Sequence, residues 1–312
     1  MKQRQRLWLV LSVFLPTLSF SQGYPTLKGV RMHVTVEHHR GDSLYYYAFS
    51  LANGITSEGE ICSFEVDISG HPTTLDADTS GLRFENDGFI EATFRRHFPF
   101  LKGKIIPVGL LASPDTSHGF TWSGHFSNHL TSGWAADSAC IQAGHGLAGF
   151  TMVSKGVPGI RRCIVSPFFN FDRLFSRDRF PTDDDMPNTD SIQNAVKYFG
   201  WTVGPTAAPV SFIGSDMLDT LISYTNQSRS LGWITTQPTS AKYVTYFNSA
   251  KSLLKANEIT QACAILQSVL KDVDVDSSST LASESHALIR YNTEYLLARL
   301  STASPSSKME RR

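Results

Sequence analysis

The sequence changes character at Gly200-Trp201-Thr202-Val203-Gly204-Pro205-Thr206-Ala207-Ala208-Pro209. Short apolar segments that alternate with polar residues come before this stretch, and segments with the 3.6-residue period of amphipathic helices come after it. Pro205 and Pro209 lack a backbone N–H and favour extended geometry in the residue before them, so neither a helix nor a central strand should run through them. The stretch therefore predicts a hinge between a β domain and an α domain.

Residues 1–21 have the three-part pattern of a secretory signal peptide. A basic start precedes the apolar run Leu7–Leu18, and the small residues Ser19 and Ser21 flank the expected cleavage site before Gln22. An uncleaved anchor is the alternative, but the run is shorter than the roughly 20 apolar residues that span a bilayer. We expect a protein that is secreted, periplasmic or on the cell surface, with no membrane span after cleavage.

The balance of acidic and basic side chains indicates whether the protein could bind nucleic acid. The chain has 28 basic and 28 acidic side chains, and loss of Lys2, Arg4 and Arg6 with the signal peptide leaves 25 against 28, a net charge of −3. Phosphate binding needs a clustered basic excess, so the composition argues against a nucleic-acid partner.

The segment between the signal peptide and Phe169 is rich in aromatic and β-branched residues and is divided by Gly, Asn, Asp and Pro. Half-buried strands of this kind, without helical segments between them, predict an antiparallel β-sandwich over residues 22–169. The predicted strands are Arg31–His39, Ser43–Ala52, Glu60–Ile68, Gly88–Phe98, His118–Phe126, Ala139–Ala143, Leu147–Ser154 and Ile160–Pro167.

Residues 170–210 are predicted to form an irregular acidic loop followed by the hinge. Asp183-Asp184-Asp185 and Asp190 offer oxygen ligands of the type that Ca²⁺ prefers. The spacing does not match the EF-hand pattern, so a solvated loop is the favoured interpretation and a calcium site the alternative.

Residues 211–302 contain four amphipathic patterns that predict a compact antiparallel four-helix bundle. Ser215 or Asp216 is expected to cap the first helix, and Gly232 to end it. Asp272–Ser279, rich in Ser and Asp, is predicted to be the loop before the last helix, and 303–312 a disordered tail. The chain as a whole predicts an α+β multidomain fold.

Three motifs in the helical part resemble the FIMAH-type helical module at the C-terminus of many exported bacterial proteins. They are Leu-Gly-Trp-Ile at Leu231–Ile234, Ala-Asn-Glu at Ala256–Glu258 and the closing segment Arg290–Leu297. Upstream, Asn53–Ile61, Gly146–Phe150, Val157–Arg161 and Gly200–Pro209 resemble an uncharacterised family of exported β-sandwich proteins with the same tail. The resemblance implies a secreted bacterial protein with no established catalytic site.

Four cysteines lie in a chain that we expect to reach an oxidising compartment. Cys140 and Cys163 flank two predicted strands and form the favoured disulfide. Cys62 on a strand face and Cys263 on a helix fit small buried apolar residues, and the same interpretation is open for all four.

Nine of the ten histidines precede Gly146, and His118, His125 and His129 cluster near aromatic residues. Neutral imidazoles are ligands for zinc or copper. No pair has the His-Glu-x-x-His spacing, so surface or turn histidines are the favoured interpretation and a metal site the alternative. We therefore expect no cofactor, with Ca²⁺ or Zn²⁺ as the alternative.

Exposed aromatic residues on a sandwich offer ring faces on which sugars stack, and Trp122, Trp134 and Tyr46 are the candidates. No Gly-x-Ser-x-Gly elbow or phosphate-binding loop is found. The favoured hypothesis is a non-enzymatic binding or structural protein, in which the sandwich binds an extracellular polysaccharide or cell-surface component and the helices form an attachment module. The alternative is an extracellular hydrolase, glycosidase-like or metal-dependent, with its site on the sandwich. Two facing carboxylates would suffice for glycosidase chemistry.

Overall fold

A computed structural model describes most of the β part and nearly all of the helical part. The described residues are 26–39, 41, 43–67, 82–83, 122–127, 131–136, 140–167, 195–206 and 211–303. Of these, 82–83, 122–127, 131–136, 149, 151, 153 and 303 are described as backbone only. The predicted signal peptide (residues 1–21), the aspartates of the predicted acidic loop and residues 304–312 lie outside this set.

Nine strands precede four helices in these residues. The strands are β1 (Arg31–His39), β2 (Leu44–Ala52), β3 (Ile61–Asp67), β4 (Leu82–Arg83), β5 (Trp122–Ser127), β6 (Thr131–Ala136), β7 (Gly146–Ser154), β8 (Val157–Pro167) and β9 (Tyr198–Thr206). The helices are α1 (Gly214–Ser230), α2 (Gln237–Lys255), α3 (Ile259–Asp276) and α4 (Ser283–Ala303). The coarse class that the sequence predicts, antiparallel strands followed by four helices in an α+β fold, is confirmed.

The strands form two antiparallel sheets. One has the order β1-β2-β7-β4 and the other β5-β6-β3-β8-β9. The predicted strand at Ala139–Ala143 is reduced to a single bridge between Ile141 and Ile61. The predicted strand at Gly88–Phe98 lies outside the described residues.

Side chains of the two sheets meet in one hydrophobic core. Alternation along β2 buries Tyr47, Phe49 and Leu51, as the sequence predicts. The Phe64 ring of β3 lies 6.1 Å from that of Phe49 and 4.8 Å from that of Phe150 on β7, measured between centroids. The first sheet therefore contacts the second through aromatic rings.

The prediction of an irregular hinge is wrong between Tyr198 and Thr206. This segment is β9, which pairs along its length with β8 and forms an edge of the second sheet. Proline is excluded from central strands because it cannot donate to a ladder, but an edge strand tolerates it. Pro205 is therefore compatible with the strand that it was expected to interrupt.

The periodicity of the helical part predicts its elements well, and Gly232 follows the end of α1 with a φ of 79°. The expected cap is wrong, because the N-cap position is Ile213 and makes no side-chain capping hydrogen bond. In α2, by contrast, the Thr236 side chain accepts a hydrogen bond from the Thr239 N–H. Within the described residues, no helix has both the length and the apolar character needed to cross a bilayer.

The predicted loop at Asp272–Ser279 begins five residues too early, because α3 continues to Asp276. Contacts from α2 explain the extension. The Tyr246 hydroxyl donates to Asp272, and the Tyr243 hydroxyl donates to Asp276 at 2.7 Å. Lys242 forms ion pairs with both aspartates. These tertiary contacts outweigh the low helix propensity of aspartate.

Helix α4 packs on the open edge of β1. Glu284 accepts a hydrogen bond from the Val34 N–H at 3.0 Å, and the Tyr291 hydroxyl donates to the Val36 carbonyl at 2.8 Å. Ala287 and Leu288 belong to the same hydrophobic cluster as the sheet residues. Side chains of α4 thus satisfy backbone groups that a further strand would otherwise take.

Candidate functional site

Of the three aromatic candidates, Tyr46 is excluded as a stacking surface. It lies on β2, which pairs with β1 on one side and with β7 on the other, and only 2% of the residue is exposed. The ring of His39 covers it at a centroid distance of 5.0 Å. A ligand could not reach the ring, so this prediction is wrong.

The structure places the other candidates only by backbone register. Trp134 on β6 is opposite Phe64 on β3, and Trp122 on β5 is opposite Ala136. His125 on β5 is opposite Gly133, whereas His118 and His129 lie outside the described residues. The sugar-stacking and metal hypotheses for these residues stay predictions.

The predicted disulfide between Cys140 and Cys163 is wrong. Cys140 is bonded to Cys62 instead, because the bridge between Ile61 and Ile141 brings the two cysteines to a Cα separation of 4.4 Å. That separation suits a disulfide. Cys163 is a buried thiol on β8, and burial raises its pKa to about 12.

The disulfide also bears on metal binding. Glu60 lies close enough to Cys62 and Cys140 for the three ligand atoms to fall within 4.8 Å of one another. Both sulfurs are bonded to each other, however, so neither is the thiolate that a metal ion would bind. This group is a covalent link between β3 and the segment before β7.

The most exposed aromatic residues of the described β part lie on β9. Phe199 is 60% exposed and Trp201 is 46% exposed. They alternate with Gly200, at which a Cβ atom would lie 2.9 Å from the Tyr198 ring and 3.2 Å from the Cys163 sulfur. Glycine at this position lets β9 lie close to β8 while both large rings face outward.

Two residues of β8 complete this surface. Arg162 and Ile164 are the register partners of Trp201 and Phe199. The Arg162 guanidinium carbon lies 5.6 Å from the centroid of the Trp201 ring, within the range of a cation–π contact. We call Phe199, Trp201, Arg162 and Ile164 the β9 aromatic surface.

The geometry of the β9 aromatic surface suits stacking on a repeating ligand. Residues two apart on a strand are separated by roughly 7 Å and project from the same face. Phe199 and Trp201 therefore present two apolar ring faces in a row, and Arg162 adds hydrogen-bond donors beside the second ring. This combination can hold the C–H faces of sugar rings and also bind their hydroxyls.

Sequence reasoning assigned Phe199 and Trp201 to the irregular region and so missed this surface. One signal could have found it. Phe199, Trp201 and Val203 alternate with small or polar residues, which is the period of a strand. The glycines and prolines of the same segment favour a turn or loop, and the prediction followed them and not the strand period.

Comparisons of the chain with protein-family models, with curated protein sequences and with solved structures gave no match. The resemblance of the helical part to FIMAH-type modules therefore stays a prediction. What the protein binds has to be inferred from its own residues.

Proposed function

We propose that this is an exported, non-enzymatic protein that binds an extracellular polysaccharide through the β9 aromatic surface. The observation that carries the proposal is the exposure of Trp201 and Phe199 side by side on one face of the second sheet. Large apolar groups that lie together on a surface usually mark an interaction site. The polar neighbour Arg162 favours a hydroxylated ligand over a purely apolar one.

Export is part of the proposal. The N-terminal pattern of a basic start, an apolar run and small residues supports it. The disulfide between Cys62 and Cys140 is compatible with it, because disulfides persist in oxidising compartments and are rare in the cytosol. Both features support a secreted, periplasmic or surface location.

The proposal extends to the arrangement of the layers. The aromatic contacts between Phe64, Phe49 and Phe150 support a β-sandwich. Short connections between successive helices, such as the turn at Ala256–Glu258, support an antiparallel bundle. The side chains of α4 that bind β1 and β8 suggest that the bundle braces the sandwich in addition to any attachment role.

Binding of the full mature chain to a panel of insoluble polysaccharides tests the proposal. We expect the wild-type protein to be retained by at least one of them. Trp201→Ala and Phe199→Ala should each weaken retention about tenfold, which corresponds to about 1.4 kcal/mol. Ile55→Ala removes an exposed apolar side chain elsewhere and should leave retention unchanged.

Two results would count against the proposal. Retention of Trp201→Ala equal to that of the wild type would show that the ring does not contact the ligand. Release of soluble sugar from the polysaccharide by the wild-type protein would instead favour the hydrolase alternative.

A further inference from the structure

A cleft of about 650 Å³ lies where the sheets meet the helices. His38, Ser43 and Tyr45, around the β1–β2 turn, line one side together with Lys155 from the turn before β8. Apolar side chains of β8, α3 and α4, including Leu297, form the floor. The volume falls within the range of about 300–1,000 Å³ that is typical of small-molecule sites.

In the part of the chain that the structure describes, the hydroxyls of Tyr45 and Tyr295, which line this cleft, lack the hydrogen bonds that neighbouring tyrosines make. The hydroxyl of Tyr47 donates to the Gly156 carbonyl at 2.7 Å, and that of Tyr291 donates to the Val36 carbonyl. Tyr45 lines the cleft, and its hydroxyl has no hydrogen-bond partner among the described residues. Tyr295 also lines it, and its buried hydroxyl likewise has no partner there. A buried polar group without a partner costs about 1–3 kcal/mol, so a ligand that accepts a hydrogen bond would stabilise the cleft.

The Tyr45 ring is held in place by its surroundings. It stacks on the His38 imidazole at a centroid distance of 4.3 Å and meets the Tyr291 ring edge-on at 5.8 Å. Burial raises the pKa of the Tyr45 hydroxyl, which therefore stays protonated and is a hydrogen-bond donor at neutral pH. The donor is thus fixed in position before any ligand arrives.

The charged side chains that the structure describes around the cleft favour an anion. The Glu294 carboxylate is already engaged, with Arg290 Nη2 at 3.3 Å and His38 Nδ1 at 4.0 Å. Lys155 is exposed at the rim and has no ion-pair partner among the described residues. Ser43 adds a hydroxyl on the same side. The β side of the cleft therefore offers one cation and two hydroxyls to a ligand.

We propose that this cleft binds a small amphiphilic carboxylate. Its carboxylate accepts hydrogen bonds from Tyr45 and Ser43 and pairs with Lys155. Its apolar body lies on the floor formed by Val157, Leu297 and their neighbours. An ammonium-bearing ligand is disfavoured, because Glu294, the one carboxylate among the described residues that line the cleft, is already bound to Arg290.

Calorimetric titration with octanoate tests the proposal, with 1-octanol and acetate as matched probes. Octanoate should bind, whereas 1-octanol lacks the charge and acetate lacks the apolar body, so each should bind at least about tenfold more weakly. Acetate that bound as tightly as octanoate would overturn the role of the floor. 1-Octanol that bound as tightly as octanoate would overturn the role of the charge.

Two variants locate the site. Lys155→Gln changes an exposed side chain, and Tyr45→Phe removes only the hydroxyl, so both should fold and should weaken octanoate binding about tenfold. The controls are Lys255→Gln, at the exposed end of α2, and Tyr246→Phe, whose hydroxyl binds Asp272. Absent binding to the wild type, or equal binding to Lys155→Gln, would overturn the proposal.

The cleft and the β9 aromatic surface are separate in the fold, so the two proposals can fail independently. Trp201→Ala should bind octanoate as the wild type does. Lys155→Gln should be retained by polysaccharide as the wild type is. A variant that lost both activities would indicate a folding defect, which circular dichroism would reveal.

Discussion

Glu284 is a buried residue at the contact between the helices and the first sheet. It is 3% exposed, and its carboxylate lies 3.0 Å from the Val34 N–H and 3.1 Å from His33 Nδ1. A buried carboxylate is costly unless donors surround it. The edge of β1 and the imidazole supply those donors, so the start of α4 is fixed to a single position on the strand.

The pair formed by His33 and Glu284 predicts a pH dependence. The hydrogen bond to Glu284 raises the pKa of His33 above its ordinary value of 6.5. The pair therefore contributes its full stability below pH 6.5, and this contribution is lost as the pH rises through the folded-state pKa. More than half of the His33 side chain is exposed, so the effect should be at most about 1 kcal/mol.

Urea unfolding of the wild type and of His33→Gln at about pH 5.5 and about pH 8.5 measures this contribution. The variant should be less stable than the wild type at the lower pH and similar to it at the higher pH. His145→Gln, in an exposed turn, is the control and should show no such difference. A destabilisation by His33→Gln that was the same at both pH values would contradict the assignment.

Among the described elements, α4 contributes most to joining the two halves of the chain, because it packs on β1, β8 and β9. Asn292, in its middle, is 1% exposed and donates to the Pro158 carbonyl of β8 and to the Leu288 carbonyl, each at 2.8 Å. Asn292→Ala would leave the Pro158 carbonyl buried without this donor. We expect it to lower the free energy of unfolding by about 1–3 kcal/mol.

Chemical denaturation followed by circular dichroism checks the Asn292→Ala prediction. Asn248→Ala, on the exposed face of α2, should change stability by less than about 0.5 kcal/mol. An Asn292→Ala protein as stable as the wild type would mean that the contact between α4 and β8 contributes little.

The elements also show how far the sequence alone can predict the fold. The helices follow the periodicity closely, because a stripe of apolar residues must be buried whatever it packs against. The end of α3 and the whole of β9 were missed, because both depend on partners that are distant in sequence. Tyr243 and Tyr246 extend α3, and β8 gives β9 its ladder. The same reason explains why Cys62 was not expected to pair with Cys140 and why the β9 aromatic surface was missed.

At the scale of the molecule, the described residues form two hydrophobic clusters, one centred on the sheets and one within the helices. Ala287 and Leu288 of α4 belong to the sheet cluster, and Leu296 and Leu300 of the same helix belong to the helical one, so the helices are more than a spacer attached by a hinge. Helix α4 binds β8 at Pro158, whose register partner on β9 is Pro205. Trp201 lies four residues away along the strand, a distance of roughly 13 Å. The helices therefore support one end of β9 and leave the aromatic end accessible to a large ligand.

The central claim is that a polysaccharide covers the β9 aromatic surface, and hydroxyl-radical footprinting read by mass spectrometry tests it most directly. In the unbound protein Trp201 and Phe199 should be labelled in accordance with their exposure, as should Ile55 and Val275. A saturating amount of the retained polysaccharide should protect Trp201 and Phe199 and leave Ile55 and Val275 labelled as before. Unchanged labelling of Trp201 in the bound protein would contradict the claim.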